Sequence, residues 1–254
     1  MADAEAKLHC VEHGSGGTPV VLLHGFGASH AAWDEVVDRL GGARHTIAFD
    51  LPGHAGSLAH RPGGAGTAAR AVLAELDRRG IAQFHLVGHS LGGAAAALAA
   101  LGDAARIASL TLLAPGGFGS EINHRLLRRY AAAREEAELA LILEQMFGWD
   151  QAPPAGLAAL QAKERRVEGA NAALLKIVET FLENGSQKVI PRAELRRLAM
   201  PTKVVWGTQD RVLPTRQAHR LPGQIAVHIF EGVGHMLPQE IPGEAARLIL
   251  EHTR

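Results

Sequence analysis

The chain has 254 residues, 20% of them charged, with 26 Lys plus Arg balanced by 26 Asp plus Glu. That balance leaves no net field to attract nucleic acid or an anionic membrane surface, so neither is expected as a partner. A single cysteine, Cys10, excludes an internal disulfide and any multi-cysteine metal site.

The length suits one large α/β domain with an inserted cap. The opening "MADAEAKLHC" has neither a basic n-region nor an apolar h-region, so no signal peptide is expected. No stretch approaches the ~20 apolar residues of a membrane span. A cytoplasmic location is the resulting expectation.

"KLHCVEHG" reads as an edge strand. After it come "PVVLLHG" (19–25), "RHTIAFD" (44–50), "FHLVGHS" (84–90), "SLTLLAP" (109–115), "TKVVWG" (202–207) and "IAVHIFEG" (225–232), all strand-like. Several are nearly continuous apolar runs, as expected for strands covered on both faces. Helical patterns over 65–79, 91–101, 215–221 and 243–252 separate most of them. Such alternation predicts an α/β fold with a mostly parallel sheet and helices on both sides. From 119 to 198 the rhythm breaks and no strand is predicted. Leu139, Ile142, Leu143, Met146 and Phe147 sit at helical spacing, as do Leu174, Val178, Phe181 and Leu182. The segment 119–198 is therefore read as a helical cap inserted into a core of 1–118 and 199–254.

Gly88-His89-Ser90-Leu91-Gly92 ends a predicted strand and opens a predicted helix. That context makes Ser90 a candidate nucleophile, which the five-residue pattern alone does not. A strand turning sharply into a helix strains the serine backbone, and glycines on either side supply room. The serine then stands at a helix N-terminus, where the Leu91 N–H is free to bind an oxyanion. A simple strand–helix turn is the structural alternative.

A nucleophilic serine needs a second oxyanion donor, a base, and an acid to orient the base. His24-Gly25-Phe26-Gly27 follows an early apolar strand and offers the Phe26 N–H. The acid and base are expected after the serine, in that order. "VVWGTQDRVLP" delivers Asp210 and "IFEGVGHMLPQE" delivers His235, each just beyond a strand. Asp210 also has a reading as a helix cap or an ion-pair partner of Arg211. Asp50 competes by its strand-end position but precedes Ser90, so it is read as structural, in a turn with Pro52 and Gly53. Among 14 histidines, His235 stands out by position, not by type.

The motifs "HGFG", "DLPGHAGS", "GHSLGG", "GTQDRVLP" and "GHMLPQE" resemble those of the α/β-hydrolase fold superfamily over essentially the whole chain. In one place the chain departs from the family's Gly-His-Gly-x-Ser pattern, with Gly53-His54-Ala55-Gly56-Ser57. The resemblance implies Ser90 as nucleophile, Asp210 as acid, His235 as base, and Phe26 and Leu91 as oxyanion donors. His24, Gly25, Gly27, Gly88, His89 and Gly92 are the supporting motif positions. It also implies acyl transfer to water with no cofactor and no metal. A serine at this turn argues against dehalogenase and epoxide hydrolase chemistry. Esterases, thioesterases, carbon–carbon bond hydrolases, aminopeptidases and perhydrolases stay open.

More narrowly, "TLLAPGGFGSEIN", "MPTKVVWGTQDRVLP" and "GVGHMLPQE" resemble the hydrolase-like domain of acetoin dehydrogenase dihydrolipoyl acetyltransferase components. There the domain often follows a lipoyl domain; no lipoyl-lysine segment is expected here. The expected partner is a small-molecule acyl substrate. A homo-oligomer and association with dehydrogenase subunits stay open as alternatives.

Overall fold

The computed structural model describes residues 7–42 and 44–253. The first strand, β1 (Cys10–His13), is a short edge strand, and β2 (Val20–Leu23) follows it into the sheet centre. All four residues of β2 are buried, the signature of a strand covered on both faces. A 3₁₀ turn leads into α1 (Asp34–Leu40), and β3 (Thr46–Phe49) returns to the sheet. Helix α2 (Ala65–Arg78) precedes β4 (Phe84–His89), and α3 (Leu91–Gly102) starts two residues after it. Strand β5 (Ile107–Leu113) closes this half of the chain.

Four helices come next: α4 (His124–Ala132), α5 (Glu136–Glu144), α6 (Leu157–Arg165) and α7 (Ala170–Phe181). No strand is predicted in this region, yet β6 (Leu182–Glu183) and β7 (Ser186–Gln187) pair as an antiparallel ribbon. Two residues per strand are too few to produce an alternating pattern, and Asn184-Gly185 supplies the left-handed turn between them. A short α8 (Arg192–Leu195) leads into β8 (Thr202–Gly207) and β9 (Ile225–Phe230). Helices α9 (Leu237–Glu240) and α10 (Pro242–His252) end the chain. Only a 3₁₀ turn, Thr215–Ala218, forms where a helix is predicted over 215–221; His219 is already extended, and Pro222 follows.

The sheet order is β1-β3-β2-β4-β5-β8-β9. Strand β1 runs antiparallel to β3. All other neighbouring pairs in this sheet are parallel. β2, β4 and β8 therefore point their carboxyl ends to one edge, where α/β sheets collect their functional groups. The core is continuous from Val20–Leu23 through Leu110–Leu113 to Val204–Trp206 and Leu248–Ile249. Among the described residues, no helix is long and apolar enough to cross a membrane.

Candidate active site

The turn between β4 and α3 is built by close backbone approach. A Cβ at Gly88 would overlap the Gly92 carbonyl, and one at Gly92 would overlap the Leu23 carbonyl. Ser90 pays the conformational cost, with φ 52° and ψ −113°, a region non-glycine residues rarely visit. Its N–H donates to Leu113 O at 3.0 Å, and its own carbonyl accepts from Ala94 and Gly116 at 3.0 and 2.9 Å. These contacts hold the strained residue between β5 and the first turn of α3.

Ser90 Oγ lies 3.0 Å from His235 Nε2. On the far side of the ring, His235 Nδ1 lies 2.8 Å from Asp210 Oδ2. Asp210 Oδ1 accepts the N–H groups of Val212 and Leu213, each at 2.8 Å, and Oδ2 also accepts from Trp206 Nε1 at 3.1 Å. The helix-cap reading of Asp210 is therefore half right: one oxygen caps the following turn while the other faces the histidine. No ion pair with Arg211 forms, because that guanidinium donates to the Glu144 and Phe147 carbonyls. With Nδ1–H directed at a buried carboxylate, Nε2 of His235 is left to accept the Ser90 proton.

The candidate oxyanion loop, residues 24–28, is fixed by histidines. His24 Nε2 accepts the Leu51 N–H at 2.9 Å, so its Nδ1–H donates to Gly25 O at 2.7 Å. His54 Nε2 accepts the Gly27 N–H at 3.1 Å and Nδ1–H donates to Pro52 O at 3.2 Å. Both rings must be neutral to do this. Burial lowers the pKa of His24 below its usual value and that of His54 to about 3. From the helical segment, Tyr130 donates its hydroxyl toward Gly27 O at 3.1 Å and Gln161 Oε1 at 2.8 Å. Phe26 is wedged edge-on against His54, Tyr130 and Phe181. Neither the Phe26 nor the Leu91 N–H has an acceptor among the described residues, so both amides are available to an oxyanion.

Two further carboxylates organise the surroundings of the site. Glu240 accepts the N–H groups of Gly148 and Gly234 at 2.8 Å and of Met236 at 2.9 Å, bracketing His235. Burial raises its pKa against those three donors. Asp50, wholly buried, accepts from the His30 and Gly56 amides at 2.7 and 3.0 Å and from the His9 and His30 rings at 2.8 and 2.9 Å. Burial disfavours its charge, but the His30 hydrogen bond and neighbouring histidines outweigh that and lower its pKa. Asp50 is a structural hub, as its place before Ser90 suggests. His54, Glu240 and Tyr130 escape the sequence reading. Glu240 had a faint signal in "GHMLPQE"; Tyr130 had none, since its partner is 103 residues away.

A cavity of about 1280 Å³ opens onto Phe26, Ser90 and Leu91. A second, of about 20 Å³, lies between Ser90, His235, Met146 and Met236.

A strained serine turn between strand and helix, a hydrogen-bonded Ser-His-Asp chain and this sheet order together define a class. The chain belongs to the alpha/beta hydrolase family, whose model matches residues 20–248. It is 32% identical over 260 residues to the dihydrolipoyllysine-residue acetyltransferase component of the acetoin cleaving system of Cupriavidus necator, and 34% over 242 residues to that of Pseudomonas putida. Those matches cover 99% and 95% of this chain but only 68% and 65% of the relatives. The chain thus spans about two thirds of their length. It is 26% identical to a 2-hydroxy-6-oxononadienedioate/2-hydroxy-6-oxononatrienedioate hydrolase of Cupriavidus pinatubonensis, over 98% of this chain and 91% of that one. Among solved structures, a bacterial membrane phospholipase A superposes with a TM-score of 0.81 at 26% identity, covering 98% of this chain and 86% of the other.

Proposed function

We propose that the chain is a serine hydrolase that cleaves an ester or related acyl bond of a small molecule through an acyl-enzyme. The observation that carries this reading is the relay from Ser90 through His235 to Asp210, at 3.0 and 2.8 Å. His235 takes the Ser90 proton as Oγ attacks the carbonyl carbon. Asp210 holds the tautomer and stabilises the imidazolium. The Phe26 and Leu91 amides bind the oxyanion, each such donor contributing roughly 10²–10³ in rate. The leaving group departs with the proton held by His235, and water then attacks the acyl-enzyme under the same base. The test is Ser90→Ala with a fluorophosphonate probe. The wild-type protein labels at Ser90 and cleaves short-chain esters, whereas the folded variant does neither. Full activity in the variant would overturn the assignment.

A second reading is favoured by the two acetoin-system relatives: acyl transfer to a carrier thiol, or a binding role in a dehydrogenase complex. It predicts slow hydrolysis, transfer to added dihydrolipoamide, or association with dehydrogenase subunits. The similarity to a 2-hydroxy-6-oxo acid hydrolase favours a third, carbon–carbon bond cleavage by the same serine. A panel of esters, thioesters and vinylogous diketones separates the three.

A further inference from the structure

The two cavities beside Ser90 are very unequal, and different catalytic groups face each. Leu91, one of the two amide donors, lines only the large one, whereas His235 lines only the small one. The group that protonates a leaving oxygen therefore faces a space of about 20 Å³, close to what a single water or methyl group fills. The acyl half is left with the large cavity.

That cavity follows α3 rather than stopping at the nucleophile. Leu91, Ala94, Leu98 and Leu101 line it at spacings of three and four, one face of a helix. From Leu91 to Gly102 this face is about 16 Å long at about 1.5 Å per residue. Helix α2 forms the opposite wall through Thr67, Ala71 and Ala74, and Val189 and Ile190 also line the space. Short alanine side chains on both helices leave the groove open where larger ones would fill it. An extended alkyl chain advances about 1.3 Å per carbon, from bonds of about 1.5 Å. About a dozen carbons match the groove.

The charged residues of the lining divide between the two ends of the groove. Arg61, Arg70 and Lys188 line the cavity, are exposed, and have no carboxylate partner among the described residues. Arg78, by contrast, is neutralised by Glu75, and Glu194 by Arg197. Arg61 precedes α2, the Arg70 guanidinium lies against Gly66 in its first turn, and the Lys188 amide donates to Phe181 O, so these cations stand at the Ser90 end. The far end, beside Leu101, carries the mutually neutralised Glu75 and Arg78 and suits an uncharged chain terminus.

We infer that the substrate's acyl half is a linear, uncharged chain of about ten to twelve carbons that lies along α3. The inference rests on the serine-hydrolase reading above. In the reaction, Ser90 Oγ bonds to the acyl carbon as the ester oxygen leaves with the proton from His235. Water then breaks that bond and releases the free acid.

Four probes test it: methyl butanoate, methyl decanoate, monomethyl decanedioate and decyl acetate, each followed by acid release. The expected kcat/KM for methyl decanoate is at least tenfold that for methyl butanoate, and decyl acetate shows no such gain. Monomethyl decanedioate falls below methyl decanoate by about threefold at low salt, since no unpaired cation stands at the Leu101 end to meet its carboxylate, and the double variant Arg70→Gln/Lys188→Gln leaves that order unchanged. Leu98→Trp, and the solvent-side Ala74→Trp should the first fail to fold, lower the decanoate-to-butanoate ratio at least fivefold. A flat acyl-length profile, a preference for decyl acetate, or a preference for the monomethyl decanedioate over the neutral decanoate overturns the inference while leaving the serine-hydrolase reading intact. Absence of Ser90 labelling together with no turnover of any ester overturns both.

Discussion

His89 Nε2 lies 2.8 Å from the carbonyl oxygen of His235, so the residue just before the candidate nucleophile holds the backbone of the candidate base. Burial lowers the His89 pKa to about 3, which keeps the ring neutral with its proton on Nε2. The two rings stand 5.0 Å apart, centroid to centroid. This is a positioning contact that couples β4 to the loop after β9 across 146 residues.

His89→Ala is expected to lower kcat by about 10–100-fold, because a small misplacement of a catalytic group is costly. KM should change far less, since the ring is buried away from the groove. Steady-state kinetics on a short ester measure the split, and an unchanged kcat would show that His235 is held without this contact.

Asp210→Asn retains the shape but favours the wrong His235 tautomer. The expected loss in kcat is about 10⁴-fold, by analogy with buried acids in such triads. Asp50→Asn should instead act on stability, since it touches none of the reacting groups. Comparing kcat and melting temperature for the two variants separates the competing acids.

Stability should depend on pH through the buried neutral histidines. His54 and His89 both have pKa values lowered from 6.5 to about 3. The unfolded chain therefore binds protons that the folded chain refuses, between pH 6.5 and 3. Stability is fully present above pH 6.5 and is lost as pH falls through that window. At pH 5 the loss is about 2 kcal/mol for each ring. Urea midpoints measured from pH 8 to 4 check this; a midpoint flat down to pH 5 would contradict it.

Tyr130→Phe removes the hydroxyl that bridges Gly27 and Gln161. The expected cost is about 1–2 kcal/mol, the range for leaving a buried acceptor unpaired. Because the hydroxyl also steadies the candidate oxyanion loop at Gly27, kcat should fall with it. Denaturation and kinetics on the same preparation test whether the two losses travel together.

Much of the site was legible because each piece carries a local signature. Ser90 is marked by glycines that relieve backbone overlap, and His24–Gly27, Asp210 and His235 each follow an apolar run at a strand end. These are short-range effects of sterics and hydrophobic pattern, confined to a few neighbouring residues. The supporting contacts were not legible for the opposite reason. His54 sits where the chain departs from its family's pattern, at a place that touches no triad position, yet its ring takes the Gly27 N–H 27 residues away. The β6–β7 ribbon was too short to show a period, and the 215–221 segment lost its helix to a turn before Pro222.

The amino-acid order by itself determined the strand succession, the strained turn at Ser90 and the residue types of the relay, because each depends on local backbone preference and burial. Only the tertiary structure decided that Ser90 and His235, 145 residues apart, stand within a hydrogen bond of each other. It also decided which buried histidines stay neutral and that a groove runs along α3 from Leu91 to Leu101. Those outcomes depend on distances between packed elements, and on the dielectric of the space they enclose, which no local pattern encodes.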